Sequence, residues 1–253
     1  SFTWKLSSVE KKPESFKYLG KSYLAENNLD KAIESLEQSY KLNETDFEVL
    51  HDLGYSYVQK DNYNKAINYL EKAVDIYKQN PDSYRFLADS YFELKNYSKA
   101  IENYNKSSEL DSKNDYVLFK LAKSQFLVND FDGAMNNYQK AINLNDSNEQ
   151  YFIELAFTYK AKKDFDKVLE SFNKAEKINA ENALIFNEKG DIYQEINEPH
   201  KAIENYKKVL ELDDKREDVY KKIAYIFNKL DNLDEAIKNF NNYLQLKPKD
   251  DKV

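Results

Sequence analysis

Apolar residues in this 253-residue chain fall in short helical stripes broken by polar turns, and the stripes themselves recur every 34 residues. Tyr84, Leu87, Ala88 and Tyr91 share one face of a predicted helix. Ala100, Ile101, Tyr104, Ser107 and Ser108 share a face of the next one. Ala32, Ala66, Ala100 and Ala134 mark the period, which continues through Val168, Ala202 and Ala236 without insertion or deletion. Seven copies in fixed phase predict one stacked array of helical hairpins instead of two ordinary domains. The repeats start at residues 13, 47, 81, 115, 149, 183 and 217, and the array spans 13–250. Residues 1–12 read as a lead-in or the remnant of a preceding helix, and 251–253 as a tail. In the lead-in, Phe2 and Leu6 have partly suitable spacing, whereas Ser8 stands where other copies keep an aliphatic residue.

Turn chemistry predicts where each hairpin bends. Asp30, Asn64, Ser98, Asp132, Asp166 and Asp234 occupy equivalent places and are expected to cap the second helices by accepting from free amide groups. An apolar residue such as Leu29, Tyr63 or Phe131 precedes each and should tuck the turn against the body. The sixth copy has Pro199 and His200 instead; proline is expected to stop the first helix at Glu198 or earlier and to alter the turn locally. Small residues at Gly20, Gly54, Ala88, Ala122, Ala156, Gly190 and Ala224 are expected to face Ala32, Ala66 and their counterparts, letting the two helices approach closely.

With these features the chain resembles the tetratricopeptide repeat family. The unit length fits, as does the aromatic three residues after Gly20, Gly54, Ala88, Ala156 or Gly190. So do the bulky residues Leu36, Leu70, Tyr104, Tyr138, Phe172, Tyr206 and Phe240. Tryptophan is missing from the opening helices, Gln125 and Lys189 stand in for apolar residues, and the family's late proline survives only as Pro248. The resemblance implies an all-α, right-handed superhelical solenoid of seven helix-turn-helix repeats, with the first helices lining a concave groove.

Composition narrows the chemistry. Net charge is −7, and no repeat counted from residue 13 carries more than 0 or less than −3, so the basic footprint of nucleic-acid binding is missing. With no cysteine, disulfides and thiolate chemistry are excluded. No apolar run approaches a membrane span. The only histidines, His51 and His200, lie in different repeats, and three of the four glycines sit at the hairpin contact, leaving no phosphate-cradling loop. No catalytic, metal or cofactor site is expected. The chain opens at Ser1 without methionine, which points to a removed start or targeting segment and leaves cytoplasm and periplasm both open.

The expected function is a protein–protein interaction scaffold that binds a partner segment in the concave groove. Groove positions are those one residue after each small packing residue, and one turn away. They are Lys17 and Lys21, His51 and Tyr55, Arg85 and Asp89, Phe119 and Lys123, Ile153 and Phe157, Asn187 and Asp191, Lys221 and Tyr225. Phe119, Ile153 and Phe157 would form an apolar patch there, or else pack against adjacent helices. Arg85, Lys123 and Asp191 would set charge preference. Lys17 matches the first lysine of the carboxylate clamp found in some relatives, but Lys21, Asp52, Asp82 and Phe86 hold its remaining places, and the two aspartates oppose a carboxylate. Other uses remain open: the targeting part of a larger protein, or an assembly module that pairs copies through its end. For the latter Tyr243 stands out, because six copies keep Ser39, Ala73, Ser107, Ala141, Ala175 and Val209 at its place; Phe240, Leu244 and Leu246 border the same end.

Overall fold

The computed structural model describes residues 12–247. Phe2, Leu6, Ser8, Pro248 and residues 251–253 lie outside the described residues. Fourteen α-helices and no strand occur among those described. The first helices are α1 (Pro13–Ala25), α3 (Phe47–Gln59), α5 (Pro81–Glu93), α7 (Asp115–Leu127), α9 (Glu149–Ala161), α11 (Ala183–Glu195) and α13 (Glu217–Lys229). The second helices are α2 (Leu29–Leu42), α4 (Tyr63–Ile76), α6 (Tyr97–Leu110), α8 (Phe131–Leu144), α10 (Phe165–Ile178), α12 (Pro199–Leu212) and α14 (Leu233–Leu246). The helices fall into two compact units, one ending at Leu144 and the other beginning at Asn145. Unit 1 is a solenoid of four hairpins and unit 2 a solenoid of three.

Each hairpin turn is made by one dipeptide. Its first residue takes a left-handed conformation: Asn27, Asp61, Lys95, Asn129, Lys163, Asn197 and Asp231 all have φ between 54° and 64°. That reversal lets the next amide bond back into the finished helix, as Asn28 N does to Tyr23 O at 2.8 Å. The second residue caps the new helix. Asn28, Asn62, Asn96, Asp164 and Asn232 each accept from the amide three residues on, and Asp130 accepts from Gly133 N at 3.0 Å.

This corrects two sequence expectations. The caps lie two residues ahead of Asp30, Asn64 and their counterparts, which sit inside the first turn; a polar residue fits both places, and only the backbone reversal separates them. Pro199 does not end α11, which stops at Glu195 as its equivalents do. It opens α12 at the first helical position, where a missing N–H costs nothing. Asn197 turns there with φ 60° like the other six, so the turn is unaltered apart from Glu198 making no side-chain cap bond.

Packing follows a knob-and-socket rule. Leu36, Leu70, Tyr104, Tyr138, Phe172 and Tyr206 are all fully buried. Burying each such side chain stabilises by about 1.5–3 kcal/mol. The glycines receive these residues at their closest approach, and Gly20 also faces Ala32, whose carbonyl oxygen a Cβ there would meet at 3.4 Å. A Cβ on Gly54 would meet Leu70 Cγ at 2.3 Å, and one on Gly190 would meet Tyr206 Cε1 at 2.5 Å. Ser39 and Ser107 bind the first helix of their own hairpins, donating to Pro13 O at 2.7 Å and Pro81 O at 2.9 Å. The two polar departures are also satisfied. Gln125 accepts from Asn137 Nδ2 at 2.7 Å, and buried Lys189 donates to Glu176 Oε2 at 2.5 Å.

Candidate functional site

Because each hairpin repeats the same packing, inward positions on α1, α3, α5 and α7 line up as a strip along unit 1. Lateral contacts tie the strip together. Lys17 Nζ lies 3.0 Å from both Asp46 Oδ2 and Glu48 Oε2, and Lys21 Nζ reaches the same Glu48 oxygen at 3.0 Å. The bond to Asp46, then that to Glu48, holds the Lys17 ammonium above its usual range, while Lys17 and Lys21 hold Glu48 below its own. The lysine in the clamp position is therefore engaged by carboxylates of its own chain.

On α3, half-buried His51 sits between Phe47 and Phe86, with ring centroids 5.8 and 5.7 Å away, and its Nδ1 lies 2.7 Å from Ser83 Oγ. Burial pushes the imidazole below its ordinary value. Neighbouring Asp52 has Oδ2 buried without a hydrogen-bond partner, and burial pushes its carboxyl up to about 6. Tyr55 packs on Phe86 at 5.0 Å. The Arg85 guanidinium lies 4.0 Å from the centroid of the Phe86 ring and donates twice to Asp82 Oδ1, at 3.1 and 2.9 Å.

Asp89 was expected in the open groove but is only 8% exposed. Its Oδ1 accepts from Tyr104 Oη at 2.5 Å and Tyr116 Oη at 3.1 Å, and burial raises its pKa. Phe119 is half-buried, 5.8 Å from the Tyr138 ring, and Lys123 Nζ approaches the Phe119 ring at 5.9 Å. A cleft of about 300 Å³ opens here, lined in part by Arg85, Phe86, Asp89, Glu93, Tyr116 and Lys120.

In unit 2, Ile153 is 1% exposed and belongs to the core, which corrects its assignment to the groove surface. Phe157 is half-buried and meets Phe172 edge-on at 5.8 Å. Asp191 accepts from Tyr206 Oη at 2.5 Å, Lys222 Nζ at 2.7 Å and Asn187 Nδ2 at 3.4 Å. Lys221 and Tyr225 are exposed, and Tyr225 meets Phe240 edge-on at 5.3 Å.

A pairing rule emerges from these positions. The residue after each small packing residue faces the bulky side chain of the second helix. Asp89 and Asp191 accept from the hydroxyls of Tyr104 and Tyr206, and Phe157 and Tyr225 pack on Phe172 and Phe240; the fourth hairpin departs, with Lys123 at this place and Phe119 packing on Tyr138. Sequence reasoning missed Tyr116 and Lys120. Tyr116 lies three residues before Phe119, so the four-residue step from Lys123 through Phe119 passes it and reaches Asp115 instead. Lys120 reaches across to Glu93 at 3.5 Å and over the Phe92 ring at 4.2 Å, contacts with no sequence signature.

At the far end of unit 2, Phe240 and Tyr243 are half-buried, and Lys221 and Lys247 approach the Tyr243 ring at 5.7 and 5.6 Å. Leu244 and Leu246 are 63% and 38% exposed. No helix among the described residues is long and apolar enough to cross a membrane.

Comparison with known proteins agrees with this architecture. Sequence patterns described as "Tetratricopeptide repeat" match residues 116–146, 149–182, 183–216 and 218–250, and one described as "TPR repeat" matches 88–129. A pattern described as "Anaphase-promoting complex, cyclosome, subunit 3" matches residues 25–107. No curated protein matches the chain by sequence. Among solved structures, the C-terminal part of a TPR repeat-containing protein from Cytophaga hutchinsonii superposes with a TM-score of 0.82 at 18% identity, covering 94% of this chain and 97% of that one. A tetratricopeptide repeat protein from Parabacteroides merdae gives 0.65 at 16% identity, covering 94% of each chain. MamA MSR-1 gives 0.62 at 23% identity, covering 66% of this chain and 97% of that one. Fold, period and sequence patterns agree: the chain is a tetratricopeptide repeat protein, and its fold is generally a non-catalytic protein-interaction module.

Proposed function

We propose that the first-helix strip of unit 1 receives a segment of a partner protein and that the chain acts without catalysis. The observation that carries this reading is the laterally bonded strip itself. Its charges are fixed on one another, from Lys17–Glu48 to Arg85–Asp82, and that leaves Tyr55, Tyr116 and Phe119 as pre-positioned aromatic surface. Rigid aromatic anchors with paired charges around them supply affinity at small entropic cost. In unit 2, Phe157 and Tyr225 are the equivalent candidates, with Lys221 and Asn187 beside them. The one serine–histidine contact of the strip does not support hydrolysis, because Ser83 is fully buried and no substrate reaches its hydroxyl. The thinly negative repeats also argue against a nucleic-acid partner.

A peptide-display selection on the purified chain tests the groove. Selected segments should lose at least about tenfold in affinity for Tyr55→Ala and Phe119→Ala while circular dichroism stays unchanged. Segments that bind both variants as tightly as the parent chain overturn the assignment.

A second use rests on α14. Leu233, Ile237 and Leu244 are 59%, 59% and 63% exposed, whereas Ile203, the counterpart of Ile237, is 6% exposed. Two copies pairing through this face would cover it. Light scattering over a concentration series should show association that Ile237→Glu and Tyr243→Ser both weaken. A parent chain that stays monomeric at every concentration removes this use.

A further inference from the structure

On the second-helix side of unit 1, equivalent clefts lie between the second and third hairpins and between the third and fourth. They measure about 440 and 380 Å³. The first is charged, lined by Glu71, Asp75, Lys78, Lys99, Glu102 and Lys106 together with apolar residues. A bridge also closes across its junction: Tyr91 Oη donates to Glu71, and Lys99 Nζ donates to that hydroxyl at 3.0 Å. The junction before it carries the same bridge, with Tyr57 Oη 2.5 Å from Glu37 Oε1 and Lys65 Nζ 3.3 Å from Tyr57 Oη.

Between the third and fourth hairpins every member of that bridge is replaced. Asn105, Gln125 and Gly133 stand where the previous junction has Glu71, Tyr91 and Lys99. Gln125 turns to its own hairpin, bonding Asn137 and Asp130 at 2.7 and 2.9 Å. Ser108 replaces Val74, and Ser112 replaces Lys78. The cleft keeps an apolar floor in Leu118, Leu121 and Leu144, the last 45% exposed, and Lys140 is its one charged lining residue. Ser108 Oγ donates to the Asn105 carbonyl at 2.9 Å, and among the described residues the side chains of Asn105 and Ser112 themselves make no hydrogen bond.

We infer that this cleft is a binding site for an uncharged peptide segment carrying one aliphatic side chain. The aliphatic group lies on Leu118 and Leu121, and Asn105 and Ser112 hydrogen-bond the backbone on either side of it. A primary amide offers a donor and an acceptor together, matching the N–H and C=O of a peptide unit. A carboxylate ligand would surrender its hydration to a lining with a single cation, and an ammonium ligand would find no counter-charge. The volume lies in the usual range for ligand clefts. This site is independent of the first-helix strip, being built from α6, α7 and α8.

The probe is N-acetyl-leucine N-methylamide, titrated into the full chain and followed by amide NMR. Saturable shifts are expected at Asn105, Ser112, Leu118 and the Asn137 side chain, at least about fivefold weaker for the capped glutamate analogue. The double variant Asn105→Glu, Ser112→Lys gives this cleft the charges that Glu71 and Lys78 give its neighbour, so the fold should tolerate it. It should lose at least about fivefold in affinity. Ser108→Ile, which copies Ile142 one repeat on, should lose a similar factor by shrinking the space over the floor. Absence of saturable shifts, equal affinity for the glutamate analogue, or undiminished binding to both variants overturns the site.

Discussion

Lys189 occupies a slot that other hairpins fill with Leu53, Leu87, Leu121, Leu155 and Ile223, all between 0% and 4% exposed. Lys189 itself is 7% exposed. Its ammonium bonds Glu176 at 2.5 Å, and the other Glu176 oxygen lies 3.6 Å from Lys208 Nζ. Desolvating an ammonium costs several kcal/mol, and such a pair recovers that only with good geometry. Lys189→Leu removes the buried charge, adds about 2 kcal/mol of apolar burial, and leaves Glu176 with Lys208 at the partly exposed rim. The net expectation is a gain of about 1 kcal/mol. Glu176→Ala instead strands the buried ammonium and should lose about 3 kcal/mol. Urea unfolding followed by helical circular dichroism measures both. The acid limb supplies a second check. Burial alone would raise Glu176, but Lys189 and then Lys208 outweigh it and hold it below its ordinary 4.5. The stability from this lowered carboxylate is present above about pH 4.5 and lost as pH falls through the folded value. Lys189→Leu should shrink that acid-dependent loss. A Lys189→Leu chain less stable than its parent by more than about 1 kcal/mol would show that the ion pair is a net stabiliser and refute the reasoning.

Three further outcomes follow from the packing. Gly54→Ala places a Cβ 2.3 Å from Leu70 Cγ, so strain of about 1–3 kcal/mol outweighs a helix gain of about 1 kcal/mol, and thermal melting should fall. An unchanged or higher midpoint would mean that Leu70 moves aside freely. Glu198→Asn supplies the cap that the sixth hairpin lacks and should add about 0.5–1 kcal/mol, read from the same melts; no gain would mean that Pro199 already fixes that turn. Asp52 is raised in the folded chain, so it favours folding at low pH, and this contribution fades as pH rises from about 4 through about 6. Half-buried His51, lowered by burial, acts in the opposite sense just below pH 6.5, so the comparison with Asp52→Asn isolates the carboxyl. The variant should gain relative to its parent between pH 5 and 8, and parallel profiles would contradict the assignment.

The period and helical stripes were readable from sequence because they recur without slippage, and the bulky residues from Leu36 to Tyr206 sit in the core as their spacing implies. What the sequence hid was local. Asp30 and Asn28 are both capping residue types, and the left-handed Asn27 that separates their roles has no distinctive chemistry of its own. Pro199 can end one helix or begin another, and the sixth turn uses it for the second purpose. The candidate strip was legible as a set of inward positions but not as a set of free ones. Asp89 and Asp191 answer tyrosine hydroxyls fifteen residues further on, and Ile153 answers the core; such pairings belong to contacts between helices, which a single helical stripe does not reveal.

The bridges of unit 1 have a consequence for editing the chain at the scale of a hairpin. Removing residues 47–80 joins Asp46, a helix-capping residue, to Pro81, which already opens a helix after a capping Asn80. It also brings Glu37 opposite Tyr91 and Lys99, so the lost bridge is rebuilt from surviving parts. Removing residues 81–114 instead sets Glu71 against Gln125, whose amide is already engaged by Asp130 and Asn137 of its own hairpin, and against Gly133, which has no side-chain donor. The second hairpin is thus an interchangeable part and the third is not: the first splice should leave a shorter chain that melts cooperatively, and the second a chain with a weak joint behind α4.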